Sequence, residues 1–462
     1  MDHRRPQADG DPPVSPSPHL PVTPSPPPPV PPSLPVSRLL VPNLRWWIGA
    51  LLFASTVINY IDRQTLNVLA PYLKAEYHWT NSDFALIVIS FRFSYAVVQF
   101  LGGRLIDVLG TRRGLSITVA WYSVMAMLTS LSRGLASFCG FRFLLGAGEA
   151  ANWPGATKAV SEWFPAKERG IAVALFDSGS AIGGAVAPSL VVWLYHAFGT
   201  WRPAFLITGT LGFLWLLAWI ATYHRPEDHP RITDSERTMI LASRSGAGEG
   251  HLQTRTPVSM LVGYRQTWGC VLAKAILDPY WYLVADWFAL FLVSRGFKLE
   301  DTLMGFWIPF VCADLGNFVG GGLSSYFIHR GWTVGSARRV IFLICGPFML
   351  LMIPAVYTTR LWLLIAEFGL ATLGYAACAT IFLTLPSDLF ESGSVATVSG
   401  LAGMVTGFVT IAATYTIGAV TDRYSFAPIL MGASAAPVLA SIAVFSLVRN
   451  TKNTGNGVLL RI

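Results

Sequence analysis

Asn59, Asp62 and Arg63 interrupt an apolar stretch at i, i+3 and i+4, so one helical face can carry all three. A second apolar stretch holds Arg142 and Glu149, seven residues apart. Two helical turns put these on one face but about 10 Å apart along the axis, too far for a direct pair on one straight helix. Each can instead pair across to a neighbouring helix. Acids and bases set this way can catalyse, carry protons or simply hold helices together. Catalysis would need more than the chain offers: it has no H-E-x-x-H zinc helix, no Walker A loop and no G-x-S-x-G elbow. Its five Cys show no metal-ligand spacing. No cofactor and no metal site is expected. In general a carboxylate gives up its proton beside a cation and keeps it when the cation leaves and the surroundings dry. Asp62 and Glu149 are therefore acids whose charge can depend on their partners, against the plain alternatives of a helix-end residue at Asp62 and a static interhelical salt bridge at Glu149 and Arg142.

Other polar residues lie in similar apolar surroundings. Arg92 and Tyr95 are spaced i, i+3 with Gln99 beyond them; Arg92 comes early in its stretch and either joins a charge network or marks an outer mouth. Asp177 and Ser178 break a further run, where they could meet a hydroxyl of a bound molecule, support Arg142 or form a packing patch. In the second half of the chain Tyr282, Asn317 and Tyr375 are the candidate polar contacts.

The elements that must position these residues are membrane helices. The 462 residues are 53% hydrophobic and only 13% charged, against about 25% charged in soluble proteins. From Trp46 the chain repeats runs of about 20 apolar residues separated by short polar breaks, the length that crosses a hydrocarbon core. Twelve spans are expected, near 46–70, 82–106, 114–132, 137–160, 169–194, 202–223, 270–293, 302–327, 338–357, 361–385, 395–419 and 427–448. The first is long and polar near one end, as a tilted or broken helix would be. The expected organisation is a Pro-rich disordered tail over 1–44, which holds 15 of the 30 Pro, a six-helix bundle over 45–223, a cytoplasmic linker over 224–265, a second six-helix bundle over 266–450 and a tail over 451–462. The net charge of +8 fits basic cytoplasmic loops rather than nucleic-acid binding, because Lys and Arg concentrate after even-numbered spans, which puts both termini in the cytoplasm.

An internal repeat supports two halves. Gly102-Gly103 closes the second span and leads through Asp107 and Gly110 to Arg112-Arg113; Gly321-Gly322 closes the eighth and leads to Arg338-Arg339. Paired Gly lets helices approach closely, and recurrence six spans apart suits halves that rock against one another.

The Gly103–Asp107–Gly110–Arg112-Arg113 segment resembles the signature loop of the major facilitator superfamily, with Val108 where that loop usually has Arg. Asn59-Tyr60-Ile61-Asp62-Arg63, the run from Arg142 to Glu149, Trp153-Pro154-Gly155, Glu162-Trp163-Phe164-Pro165 and Glu168-Arg169-Gly170 resemble its anion:cation symporter branch. Pro309-Phe310 through Asp314-Leu315-Gly316-Asn317 resembles the hexuronate and aldonate transporters of that branch. The likeness runs over residues 44–450. It implies an all-α membrane protein with twelve helices in two six-helix halves and alternating access without covalent chemistry. It also implies proton-coupled uptake of an organic monoanion across a bacterial inner membrane. By the same resemblance Asp62 and Glu149 couple protons, Arg63 and Arg142 belong to their charge network, and Tyr95 is a polar cavity residue. From their types and positions Arg92 is a further candidate for the anion, Asn59, Gln99, Asp177, Ser178, Tyr282, Asn317 and Tyr375 are candidate substrate contacts, and Gly103, Asp107, Gly110, Arg112 and Arg113 form the candidate gating loop. The expected partners are a small anion with one carboxylate and several hydroxyls, protons and lipid, with no nucleic acid, in a monomer. A hexuronate such as glucuronate or galacturonate is the expected cargo. The alternatives are an aldonate or aldarate, sodium coupling and, from other classes, a sensor or a membrane enzyme.

Overall fold

The computed structural model describes residues 40–79, 81–245, 256–297 and 303–448. The expected tail up to residue 39, the glycine run 246–250 and the tail 451–462 lie outside the described residues. Residues 40–43, assigned to the tail by their prolines, are placed: the Val41 N–H donates to the Arg231 carbonyl at 2.9 Å.

All twelve expected spans fall on helix. They are α1 (Leu44–Tyr77), α2 (Asn81–Leu109), α3 (Thr111–Thr129), α4 (Leu135–Glu149) with α5 (Asn152–Trp163), α6 (Ala166–Phe198) and α7 (Arg202–Thr222). After the linker helices α8 (Asp234–Ser245) and α9 (Val258–Val262) come α10 (Arg265–Ser294) and α11 (Leu303–His329). The rest are α12 (Val334–Cys345), a 3-10 turn and α13 (Met352–Ala355), then α14 (Leu361–Leu389), α15 (Ser392–Arg423), α16 (Ala427–Ser434) and α17 (Ala436–Leu447). Eight helical stretches among the described residues are long and apolar enough to cross a membrane. α1 runs unbroken for 34 residues. The fourth span is broken instead, as are the ninth and twelfth: Ala150 and Ala151 separate α4 from α5, and Pro154 sits in the first turn of α5, where its missing N–H costs no intrahelical bond. Gly110 adopts φ 82° in the tight turn from α2 to α3, a conformation that glycine reaches without strain.

One hydrophobic core is built from residues between Leu261 and Val448. Two others come from residues between Leu44 and Ile240, joined by Ala396. α14 is the most enclosed span, with 83% of its apolar window buried.

The linker is anchored to the bundle. Glu236 of α8 accepts from the Leu44 and Arg45 N–H groups at 3.0 and 3.1 Å and so caps α1, a favourable place for a negative charge. Arg45 also reaches Glu168 at 2.7 Å.

At this same end, charges and close backbones clasp the first and second halves of the chain. Asp107 of α2 pairs with Lys158 of α5 at 3.0 Å and accepts from the Thr397 N–H of α15 at 2.6 Å and from its hydroxyl. Asp388 of α14 binds Arg169 of α6 at 3.1 Å and Arg338 of α12 at 2.9 Å, and Arg338 donates on to the Ala166 carbonyl at 3.2 Å. The two glycine pairs of the sequence repeat sit here. A Cβ on Gly103 would lie 2.1 Å from the Ala396 carbonyl oxygen, and one on Gly321 would lie 2.4 Å from that of Gly170. Arg112 donates to the Ile220 carbonyl of α7, which ties the loop to its own half.

Arg338 is 2% exposed, and stranding such a charge costs about 3–5 kcal/mol. Asp388→Asn is therefore expected to open the clasp. The reporter is Cys270, buried beside the cavity wall and within electrostatic reach of Asp388. Its labelling by maleimide from the linker face, read by peptide mapping, should rise at least about ten-fold, the equivalent of ~1.4 kcal/mol; an unchanged rate would mean that the clasp does not hold this end shut.

His229, in the linker, is neutral by its contacts: one ring nitrogen lies 2.9 Å from the Thr222 carbonyl and the other accepts from the Arg231 N–H at 3.1 Å. Burial holds the imidazole below its ordinary value of 6.5. In acid the unfolded linker therefore binds more protons than the folded one, so this contribution is complete above pH 6.5 and drains away as pH falls. His229 stands edge-on to Trp163 at 5.5 Å, so tryptophan fluorescence should change below pH 6.5, and the change should vanish in His229→Gln.

Candidate functional site

The cavity lies between helices of both halves. α1 and α2 bring Arg63 and Tyr95 to its wall, α5 and α6 bring Trp153 and Asp177, and α10, α11 and α14 bring Lys274, Asn317 and Tyr375. Its volume is about 740 Å³, within the ~300–1,000 Å³ usual for small-molecule sites. It reaches towards Asn67, Ile89 and Tyr415, at the end of the bundle away from the clasp.

Arg63 is its central cation. The guanidinium Nε donates to Glu149 Oε2 at 2.7 Å. Tyr95, Tyr60, Phe91 and Trp153 surround the same group, with ring centroids 4.6, 5.2, 5.3 and 5.6 Å from its carbon. Aromatic faces hold a cation without using its N–H donors. One nitrogen, Nη2, has no hydrogen-bond partner among the described residues. Arg63 is thus fixed by an acid on one side and aromatic rings around it, with donor capacity remaining.

Glu149 is fully buried behind this wall, and its second oxygen has no hydrogen-bond partner among the described residues. Asn59, also fully buried, lies within reach of it. Arg142 does not pair with Glu149 by hydrogen bond. It donates to the backbone carbonyls of Asp62 and Arg63 at 3.4 and 3.1 Å, buttressing α1. Asp62 is 2% exposed, and neither carboxylate oxygen has a hydrogen-bond partner among the described residues. The α1 triplet and the α4 pair, read separately in the sequence, therefore form one cluster.

The polar candidates divide. Tyr95, Gln99, Asp177, Tyr282, Asn317 and Tyr375 line the cavity. Arg92 does too, exposed and over the Tyr282 ring at 5.9 Å. Asp177 does not support Arg142; its oxygens accept from Trp153 Nε1 and Asn317 Nδ2, both at 3.1 Å, so it bridges α5, α6 and α11. Asn317 continues the chain by accepting from Thr380 at 3.0 Å. Ser178 is placed away from the cavity wall, its hydroxyl donating to the Leu175 carbonyl at 2.8 Å, because the next helix position points into packing. Gly103, Asp107, Gly110, Arg112 and Arg113 lie outside the cavity, at the clasp end.

Two charged cavity residues escaped the sequence reading. Lys274 and Asp278, i and i+4 on α10, form an ion pair in the wall, and Tyr375 donates its hydroxyl to Asp278 at 3.2 Å. The available signal was their spacing inside a span, where ionisable groups are rare and functional.

The family model described as Major Facilitator Superfamily matches residues 52–414. The chain is 32% identical over 417 residues to the hexuronate transporter of Escherichia coli (strain K12), covering 89% of this chain and 95% of that one. It is 34% identical over 288 residues to the galacturonate transporter of Dickeya chrysanthemi, covering 62% of this chain and 83% of that one. Among solved structures, the proton:xylose symporter XylE bound to 6-bromo-6-deoxy-D-glucose shares the fold with a TM-score of 0.70 at 13% identity, over 89% of this chain and 97% of that one. The cavity between packed helices, the charge cluster in its wall and these relatives lead to one assignment: the chain belongs to the major facilitator superfamily and is a multi-pass membrane transporter, not an enzyme.

Proposed function

We propose that the protein imports a hexuronate, such as glucuronate or galacturonate, by proton symport with alternating access across a bacterial inner membrane, both termini facing the cytoplasm. The observation that carries this reading is Arg63, held through Nε by Glu149 inside an aromatic cage, with its side chain still 21% exposed at the cavity wall. A guanidinium with an open donor edge takes a carboxylate well. The relatives whose names state a hexuronate or galacturonate support the choice of sugar acid. Asn317, Gln99 and Tyr375 supply donors and acceptors for hydroxyls from helices on both sides of the cavity.

Coupling follows from competition. When the substrate carboxylate occupies Arg63, Glu149 loses its counter-ion inside a dry wall, and a proton restores neutrality. Asp62, whose carboxylate oxygens have no hydrogen-bond partner within bonding distance among the described residues, is the second place for a proton. Substrate and proton then bind together, and the two halves rock as units while the clasp opens and the cavity's other end closes.

In proteoliposomes, an inward proton gradient should drive accumulation of labelled glucuronate. Glu149→Gln should abolish that accumulation while sparing exchange at equal pH; equal loss of both would make Glu149 structural. Arg63→Lys keeps the charge but not the planar fork, and a charge-assisted hydrogen bond of about 1.5–3 kcal/mol corresponds to a rise of roughly ten- to hundred-fold in the KM for glucuronate. Unchanged KM would remove Arg63 from the substrate. Affinity for the anion should rise as external pH falls, since proton and substrate load together, and the slope should vanish in Glu149→Gln.

A further inference from the structure

Lys274 and Asp278 are not used by the coupling chemistry, yet they stand in the cavity wall of the half opposite Arg63. Their side chains are 18% and 12% exposed. An i, i+4 pair on a soluble helix would be surface decoration. Here it stands in the first half of α10 and lines a cavity between packed helices, where carrying two charges out of water is expensive. Packing α10 does not require it, since Leu277 and Tyr280 beside it already bury its apolar face.

The chemistry of the pair is specific. Lys274 has three N–H donors, and one side-chain hydrogen bond among those described, to Asp278; its charge lies 5.1 Å from the centroid of the Phe382 ring. Asp278 accepts from Lys274 and from the Tyr375 hydroxyl, which leaves lone pairs open. The pair is neutral overall, and it offers donors and acceptors side by side. Neighbouring hydroxyls of a sugar need that combination, whereas a carboxylate needs donors alone. One turn on, Trp281 lines the same wall, its ring 6.2 Å from that of Tyr375 and inclined to it by only 11°. Such a wall suits the apolar face of a pyranose. Asp177 and Asp314 also line the cavity, on α6 and α11. A second carboxylate arriving at this side meets three acids and one lysine that is already paired.

We infer that Lys274, Asp278 and Tyr375 form a subsite that reads the hydroxyl end of the sugar acid while Arg63 holds its carboxylate, and that Asp278 makes the transporter select monoacids over diacids. This rests on the proposed hexuronate reading and deepens it. It makes the substrate a bridge between the halves, anionic end on α1 and polyol end on α10.

The test compares labelled glucuronate with glucarate, which carries a carboxylate at both ends, in proteoliposomes and by ligand-induced thermal shift of the purified protein. The wild type should take up glucuronate and discriminate against glucarate at least about ten-fold. Asp278→Asn should narrow that ratio by about ten-fold, chiefly through better glucarate binding. The double variant Lys274→Gln/Asp278→Asn leaves no unpaired charge and so guards against misfolding; it should weaken glucuronate binding at least about ten-fold and also lose the discrimination. A folded double variant with unchanged glucuronate affinity and an unchanged ratio would overturn the subsite, with the hexuronate reading intact. A wild type that takes up glucarate as well as glucuronate would overturn the selectivity. A folded wild type that binds neither sugar acid would bring down the hexuronate reading first, and the subsite with it.

Discussion

A charge inside a helix bundle that faces hydrocarbon must be met by another charge or by hydrogen bonds, and this protein meets the demand in two ways. At the clasp each acid is shared between elements. Asp107 is shared by Lys158 and Thr397, and Asp388 by two arginines. In and behind the cavity wall, Arg63 pairs with Glu149 through one nitrogen and one oxygen, and Arg63 Nη2 and Glu149 Oε1 have no hydrogen-bond partner among the described residues. On the proposed reading the shared acids hold a conformation, while Arg63 at the cavity wall receives the cargo. The division of labour along the bundle axis follows from how many partners each buried charge has.

On the proposed reading the clasp has to come apart. Its contacts across the halves are backbone approaches at glycine, such as Gly103 on Ala396 and Gly170 on Gly321, together with a few charge-assisted hydrogen bonds. The large hydrophobic cores stay almost wholly within one half of the sequence or the other. Separation at this end therefore sacrifices polar contacts that water can replace, and little apolar burial. Interdigitated side chains across the same surface would lock it.

Much of the site was legible in the sequence because membrane helices make polar residues conspicuous. Asn59, Asp62, Arg63, Arg142 and Glu149 stood out against apolar neighbours, and their helical spacing limited what each could face. Partner identity was not legible, since it depends on contacts between distant elements. Asp177 meets Asn317, 140 residues away, rather than Arg142. Asp388, the shared acid of the clasp, meets Arg169, 219 residues away. Ser178 is one position beyond a cavity residue, and one helical step of about 100° turns it into packing. The glycine repeat was visible, but that its two copies touch the opposite half, on α15 and α6, was not.

The arrangement also bears on why a proton and an anion would travel together on the proposed reading. Arg63 is one guanidinium with two claimants, Glu149 inside the wall and a carboxylate in the cavity. If the cargo bound without a proton, Glu149 would be left charged in a dry pocket. If the proton bound without the cargo, Arg63 would be left charged among aromatic rings with too few acceptors. Both half-loaded states leave a buried charge uncompensated, whereas the empty and fully loaded states do not. A conformational change that dries the cavity penalises charge further, so it is the half-loaded states that are barred from it. Strict coupling then needs no separate gate for the proton, because neutrality at Arg63 is itself the condition for movement.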